Sequence, residues 1–383
     1  MTLKVQAAPV LFGETWSSVA MGMPPVLLDR AISLQFSASN ALWQGLRQLG
    51  LKPGDRVLFP AYHCGAELDV CVKAELNIAF YDVDPSLSID WTALHRLVDA
   101  RTRALFVIHY FGFPVELEPA HALCREHGLA LIEDCAHALY SRDLRNQACG
   151  QSGAMAVYSL RKFLPVPEGG ALRSASVSDS AVPPPAEETF SMLRFEAQRS
   201  AHRVGIPMRR RVMARAAGTA GIPFAFWNRL TGRRRHPRAN DPSLDFGVAG
   251  ADWGMSTLSR WIVERTDHAA VVRRRRANFA ELIGRIGSTG LVRPLFTALP
   301  DGACPWLCPV VVDDADGLID YLRRRGIEAA PLWRETHAQW PAERFPSAGW
   351  LKQRAVALPI HQDLTVEHMQ WMAKEIEQWQ PSA

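Results

Sequence analysis

The chain has 383 residues, 48% hydrophobic and 21% charged, a balance that builds a full core and excludes disorder over most of the length. At this length two or three domains are expected. No stretch reaches about 18 uninterrupted apolar residues, and Met1 to Pro9 lacks the positive end and apolar run of a secretory signal. Seven cysteines, at 64, 71, 124, 135, 149, 304 and 308, make no C-x-x-C pair, so reduced thiols in a cytoplasmic protein are expected. The formal net charge of +4 hides an asymmetry. Residues 194–238 hold twelve Arg, no Lys and one acid, Glu196, a net +11 that leaves −7 for the rest.

In chain order, 32–36 predicts a strand, and 38–49 a helix whose Ala41, Leu42, Gly45, Leu46 and Leu49 share one face. Lys52-Pro-Gly-Asp55 turns the chain into a strand at 57–59, followed by a helix over 65–74 and a strand over 78–81. A helix over 91–98, a strand over 104–108, a helix over 119–127 and a strand over 129–132 continue the rhythm. Strands separated by single helices mean βαβ units and a mostly parallel sheet covered on both faces, which binds ligands at the carboxyl ends of its strands.

The pattern fails after Leu172, where 174–188 is rich in Ser and Pro and reads as a loop ahead of the Arg-rich stretch. Helical periodicity returns near Gly254 and runs to Ile286 as a connecting helix, with Arg273-Arg-Arg-Arg276 on its exposed face. A second unit then offers a strand over 307–312, a helix over 315–325, a strand over 356–358 and a final helix over 366–379. The division expected is a large domain over 1–270, with an insertion at about 175–250, and a small α/β domain over 271–383. Trp306, Trp333, Trp340 and Trp350 are expected in the core or between domains.

Two residues at strand ends carry the chemistry. Asp134 follows a buried strand, where an unpartnered carboxylate is costly. Lys162 lies in Tyr158-Ser-Leu-Arg-Lys162, after a β-like run and before Glu168-Gly-Gly170. Each alone reads as a cap or a solvated charge. Together they fit a pyridoxal phosphate site, which needs a lysine amine for the cofactor's aldehyde and an acid on its pyridine nitrogen. Ser37-Ala-Ser39 ahead of the first long helix supplies small residues and backbone N–H groups for the phosphate.

These residues sit among further motifs in a telling order: Leu51-Lys-Pro-Gly-Asp-Arg-Val57, Tyr81-Asp-Val-Asp84, His109-Tyr-Phe-Gly112, Ile132-Glu-Asp-Cys-Ala-His-Ala138 and Leu358-Pro-Ile-His-Gln-Asp-Leu-Thr365. In this the sequence resembles the DegT/StrS family of pyridoxal-phosphate-dependent sugar aminotransferases, over 31–175 and more loosely 255–380. The resemblance implies a fold type I aminotransferase-like α/β architecture, with Lys162 as the Schiff-base lysine and proton shuttle. It also places Asp134 on the pyridine nitrogen and His137 near the phenolic oxygen. Ala38 and Ser39 stand where the family has Gly-Thr at the phosphate, and Ser159 matches a second phosphate-contacting hydroxyl. Lysine rather than histidine at 162 argues for transamination over dehydration.

The activity implied is transfer of an amino group, from glutamate, to a keto group of a nucleotide-linked sugar, by a homodimer with sites at its interface. The alternatives are another keto or amino acceptor, or a weakened relative acting as a binding or scaffold protein. Three departures bear on this. Cys64 occupies the place of a ring-stacking aromatic residue, so either Cys64 makes that contact or Tyr62 or His63 moves in. The interval from Ser159 to Lys162 is shorter than the family's. Asp252 stands where an Asn reaches the partner subunit's phosphate, and a second negative charge there repels it. The Arg-rich insertion reads as a solvated segment or as a peripheral contact for anionic membrane or a lipid-linked substrate. Nucleic acid is not expected, because no recognised nucleic-acid module accompanies the charge.

Overall fold

The computed structural model describes residues 4–9, 15–17, 21–175, 182–186, 188, 246–287 and 290–381. The Arg-rich stretch 194–238, and with it the expected membrane-contact surface, lies outside the described residues.

Seven strands form one sheet: β1 (Ile32–Gln35), β2 (Arg56–Pro60), β3 (Asn77–Tyr81), β4 (Thr102–Ile108), β5 (Ala130–Asp134), β6 (Met155–Ser159) and β7 (Gly170–Ser174). Their spatial order is β1-β7-β6-β5-β4-β2-β3. The run from β3 to β6 pairs in parallel, and β7 is antiparallel to both β6 and β1. Every residue of β6, and all of β4 except Arg103, is buried, as a parallel sheet covered on both faces requires. The expected mixed α/β class with a mostly parallel sheet is what the chain adopts. Sequence reading missed β7, because Gly169-Gly170 reads as a loop; pairing on both sides makes it a strand.

Between the strands lie α1 (Pro25–Leu28), α2 (Ala38–Gln48), α3 (Ala66–Lys73), α4 (Trp91–His95) and α5 (Glu118–His127). Ala41, Leu42, Gly45 and Leu46 of α2 are buried, and Ser37 caps the helix by accepting from the Asn40 N–H. Gly170 is needed beneath this cap, since a Cβ there would meet the Ser37 carbonyl at 2.2 Å. The single connecting helix expected from 254 to 286 is two, α6 (Thr257–Val263) and α7 (His268–Ile286). The break has a local cause: the Asp267 carboxylate accepts from the Ala270 N–H and starts α7 afresh.

A second, antiparallel sheet has the order β10-β11-β9-β8, from β8 (Arg293–Pro294), β9 (Cys308–Val311), β10 (Ala330–Pro331) and β11 (Ala355–Leu358). With it go α8 (Ala315–Arg324), α9 (Pro346–Arg354) and α10 (Val366–Gln378), the last packed on α7. One buried apolar cluster runs from Val57, Leu105 and Ile132 of the first sheet to Val310, Val356 and Met369 of this unit. The loops of the second unit are thereby held against the carboxyl edge of the large sheet.

Candidate active site

At that edge lies a cavity of about 610 Å³. Ile108, Asp134 and Ser159, at the ends of β4, β5 and β6, reach it, as do Ser37, Ala38 and Ser39 at the start of α2. Cys64, His137 and Lys162 line it as well. All seven residues singled out from the sequence therefore face one space.

Asp134 is the last residue of β5 and only 7% exposed. Its Oδ1 accepts from the Ala136 N–H at 2.8 Å, and it has no ion-pair partner among the described residues. Burial, reinforced by the Glu67 carboxylate, pushes its carboxyl up to about 7, with Lys162 pulling the other way. A buried acid without a cation, facing a cavity, suits a protonated ring nitrogen.

Lys162 ends a short 3₁₀ turn, Leu160–Lys162, that leaves β6 directly. This turn is how the short Ser159-to-Lys162 interval still delivers the amine: Nζ lies 2.7 Å from His137 Nε2 and 4.3 Å from the centre of the Trp306 ring. His137 is buried, which holds its pKa well below the usual imidazole value, so the ring is neutral. Its Nδ1 lies 3.3 Å from the Phe111 N–H, and its Nε2 faces Lys162. Phe111 holds φ +56°, a conformation that costs a bulky residue roughly 1–3 kcal/mol. The Trp306 N–H, bonded to the Phe111 carbonyl at 2.8 Å, helps keep it there.

The His137 ring stacks on Trp306 at 4.4 Å and 17° and on Trp333 at 5.3 Å and 25°. Both tryptophans pack against the buried core, as expected, and also line the cavity. Their loops meet the large sheet only in three dimensions, and no local pattern announces it. Arg275 is a correction. Instead of lying on an exposed face it is fully buried, bonding Gln362 Oε1 at 2.8 Å, the Trp306 carbonyl at 2.7 Å and the carbonyls of Lys162 and Phe163 at 3.4 Å.

Of the three candidates for the ring-stacking position, Cys64 faces the cavity, while Tyr62 and His63 are fully buried away from it. The Cys64 thiol donates to Glu67 Oε2 at 2.6 Å, and its N–H donates to Oε1 at 3.0 Å. Burial and that carboxylate push the thiol well above its ordinary pKa. Sequence reasoning missed Glu67, in the first turn of α3, and Arg161, beside Lys162; both line the cavity. The signal for Arg161 was its position between Ser159 and Lys162. Asp252 lies on the outer face of α2 with Gln44 and Arg47, and Glu168 is buried, tying the loop before β7 to Ser256 and Ser259.

A buried acid and a lysine amine thus lie together at the carboxyl edge of a fold type I sheet, beside serines at a helix N-terminus. Residues 29–179 match the model of the DegT/DnrJ/EryC1/StrS aminotransferase family. Solved structures share the architecture. The aminotransferase TlmJ from Streptoalloteichus hindustanus is 21% identical with a TM-score of 0.60, covering 91% of this chain and 85% of its own. DesV from S. venezuelae is 19% identical, with 0.63 over 91% and 84%. The putative sugar aminotransferase Spr1654 from Streptococcus pneumoniae is 14% identical, with 0.67 over 98% and 97%.

Proposed function

We propose that this protein transfers an amino group from glutamate to the keto carbon of a nucleotide-linked sugar, working as a homodimer. The observation that carries the reaction type is the facing pair of Asp134, a buried acid lacking a cation, and Lys162, held by neutral His137. The sugar acceptor is supported by the family match and by the similarity to Spr1654, described as a putative sugar aminotransferase.

Pyridoxal phosphate, when bound, supplies an electron sink for charge developing beside the carbon that gains or loses nitrogen. The chain's residues do the rest. Asp134 holds the pyridine nitrogen protonated. Lys162 Nζ would carry the cofactor and move the proton between the two reacting carbons, with His137 Nε2 beside it to fix its position. Ser37, Ala38, Ser39 and Ser159 receive the phosphate, with Arg161 as the nearby cation. Cys64 contacts the ring face, where its small side chain leaves room.

Two measurements test this. Purified protein mixed with pyridoxal phosphate should show the visible band of lysine-bound cofactor, and Lys162→Ala should lose it; no band in the unmutated protein sinks the proposal. Glutamate-dependent amination should then appear with at least one member of a panel of nucleotide keto sugars. Activity confined to small keto acids would replace the sugar acceptor and keep the reaction type.

A further inference from the structure

At the opposite edge of the large sheet three donor atoms converge. His95 is the last residue of α4, and Glu126 and His127 are the last two of α5. Past Gly128 the chain enters β5 at Ala130, so this cluster lies at the amino end of the strand whose carboxyl end carries Asp134, about 13 Å along it. The separations are 3.2 Å from His95 Nε2 to Glu126 Oε1, 3.3 Å between the two Nε2 atoms, and 3.5 Å from His127 Nε2 to Glu126 Oε1.

We propose that His95, Glu126 and His127 bind one transition-metal dication of the zinc class. Ligands about 2.0–2.1 Å from a tetrahedral zinc are ~3.3–3.4 Å from one another, and the three observed edges bracket that value. The triangle is one face of such a tetrahedron, with an ion just off its plane and the fourth position open to water. The donors agree with the geometry. Two imidazole nitrogens and one carboxylate suit zinc and its neighbours, whereas calcium and magnesium take oxygen sets. A dication engages both ring nitrogens and the carboxylate together. The side chains are 48%, 59% and 28% exposed, so entry from solvent is open. Bound there, the ion joins the C-terminal ends of α4 and α5 and leaves the catalytic edge untouched.

The test is titration of Zn²⁺ into the cofactor-loaded full chain in competition with a chromophoric chelator. The unmutated protein should hold one equivalent at micromolar or lower free zinc. His95→Ala and His127→Ala should each weaken that equivalent by at least about tenfold, and Glu126→Gln by less. Zinc should raise Tm in the unmutated protein alone, and aminotransferase activity should be equal in all four. No equivalent held at micromolar zinc overturns the site. So does the same equivalent held by a His95→Ala/His127→Ala double variant, which would assign the ion to other groups such as the cysteines. All three positions are exposed helix ends, so the variants fold, and superimposable circular-dichroism spectra verify it.

Discussion

Asp134 is poised between stability and function. Its carboxyl sits at about 7 in the folded protein against an ordinary value near 4, so the folded state binds the extra proton between those limits. The stability this gives is complete below about pH 4 and is lost as pH rises through 7. Asp134→Asn should therefore raise the stability of the cofactor-free protein at pH 8, by roughly 1–3 kcal/mol in urea denaturation, while lowering kcat at least ~100-fold. A variant that is both less stable and less active would contradict this account. Glu67 raises the Asp134 carboxyl through space. Cofactor affinity should fall as pH drops through about 7, because a protonated Asp134 holds the pyridine nitrogen poorly. In Glu67→Gln that fall should move to lower pH, as followed by the visible band; an unmoved profile would remove Glu67 from the site's electrostatics. Asp134, His137 and Lys162 were legible because their order matches a family motif. Glu67 was not, because a glutamate in the first turn of a helix is ordinarily a dipole-favoured surface acid.

Among the elements, α7 shows most clearly how packing decides a residue's meaning. Four consecutive arginines, 273 to 276, are indistinguishable by composition, yet helix rotation turns Arg275 alone fully inward, beneath the lysine turn. Its guanidinium donates to the carbonyls of Lys162, Phe163 and Trp306, and Gln362 shares the Phe163 carbonyl. Burial lowers its pKa to about 10, which leaves it charged. Arg275→Met should cost roughly 2–4 kcal/mol and blur the position of Lys162. The expected result is an earlier urea midpoint together with a kcat loss greater than the rise in KM; a purely structural role would move the midpoint alone. Elements with strong periodicity, such as α2 and α5, were legible nearly to their ends. Strands β8 and β10, two residues each, and β7 were not, because they exist through their partners rather than through any pattern of their own.

Over the whole molecule, the active-site cavity is closed by two units: the large sheet contributes the acid, the lysine and the helix N-terminus, and the second unit contributes Trp306, Trp333 and His361. No helix among the described residues is long and apolar enough to cross a membrane. The +11 charge of residues 194–238 leaves two expectations to be told apart, a solvated insertion and a contact for anionic bilayers. Flotation with liposomes should recover the protein with phosphatidylserine-containing vesicles and release it as salt rises; equal, negligible recovery with neutral and anionic lipid would leave the segment a solvated insertion.

From the sequence alone follow the α/β class, the order of the large sheet's helices and most of its strands, and the seven cavity residues, since periodicity and ordered motifs are local properties of the chain. Tertiary structure alone decided that Glu67, Arg161, Trp306 and Trp333 join them and that Arg275 is buried. Those assignments depend on which faces meet, and burial, with the pKa shifts that follow from it, arises only when segments distant in sequence exclude water from one another.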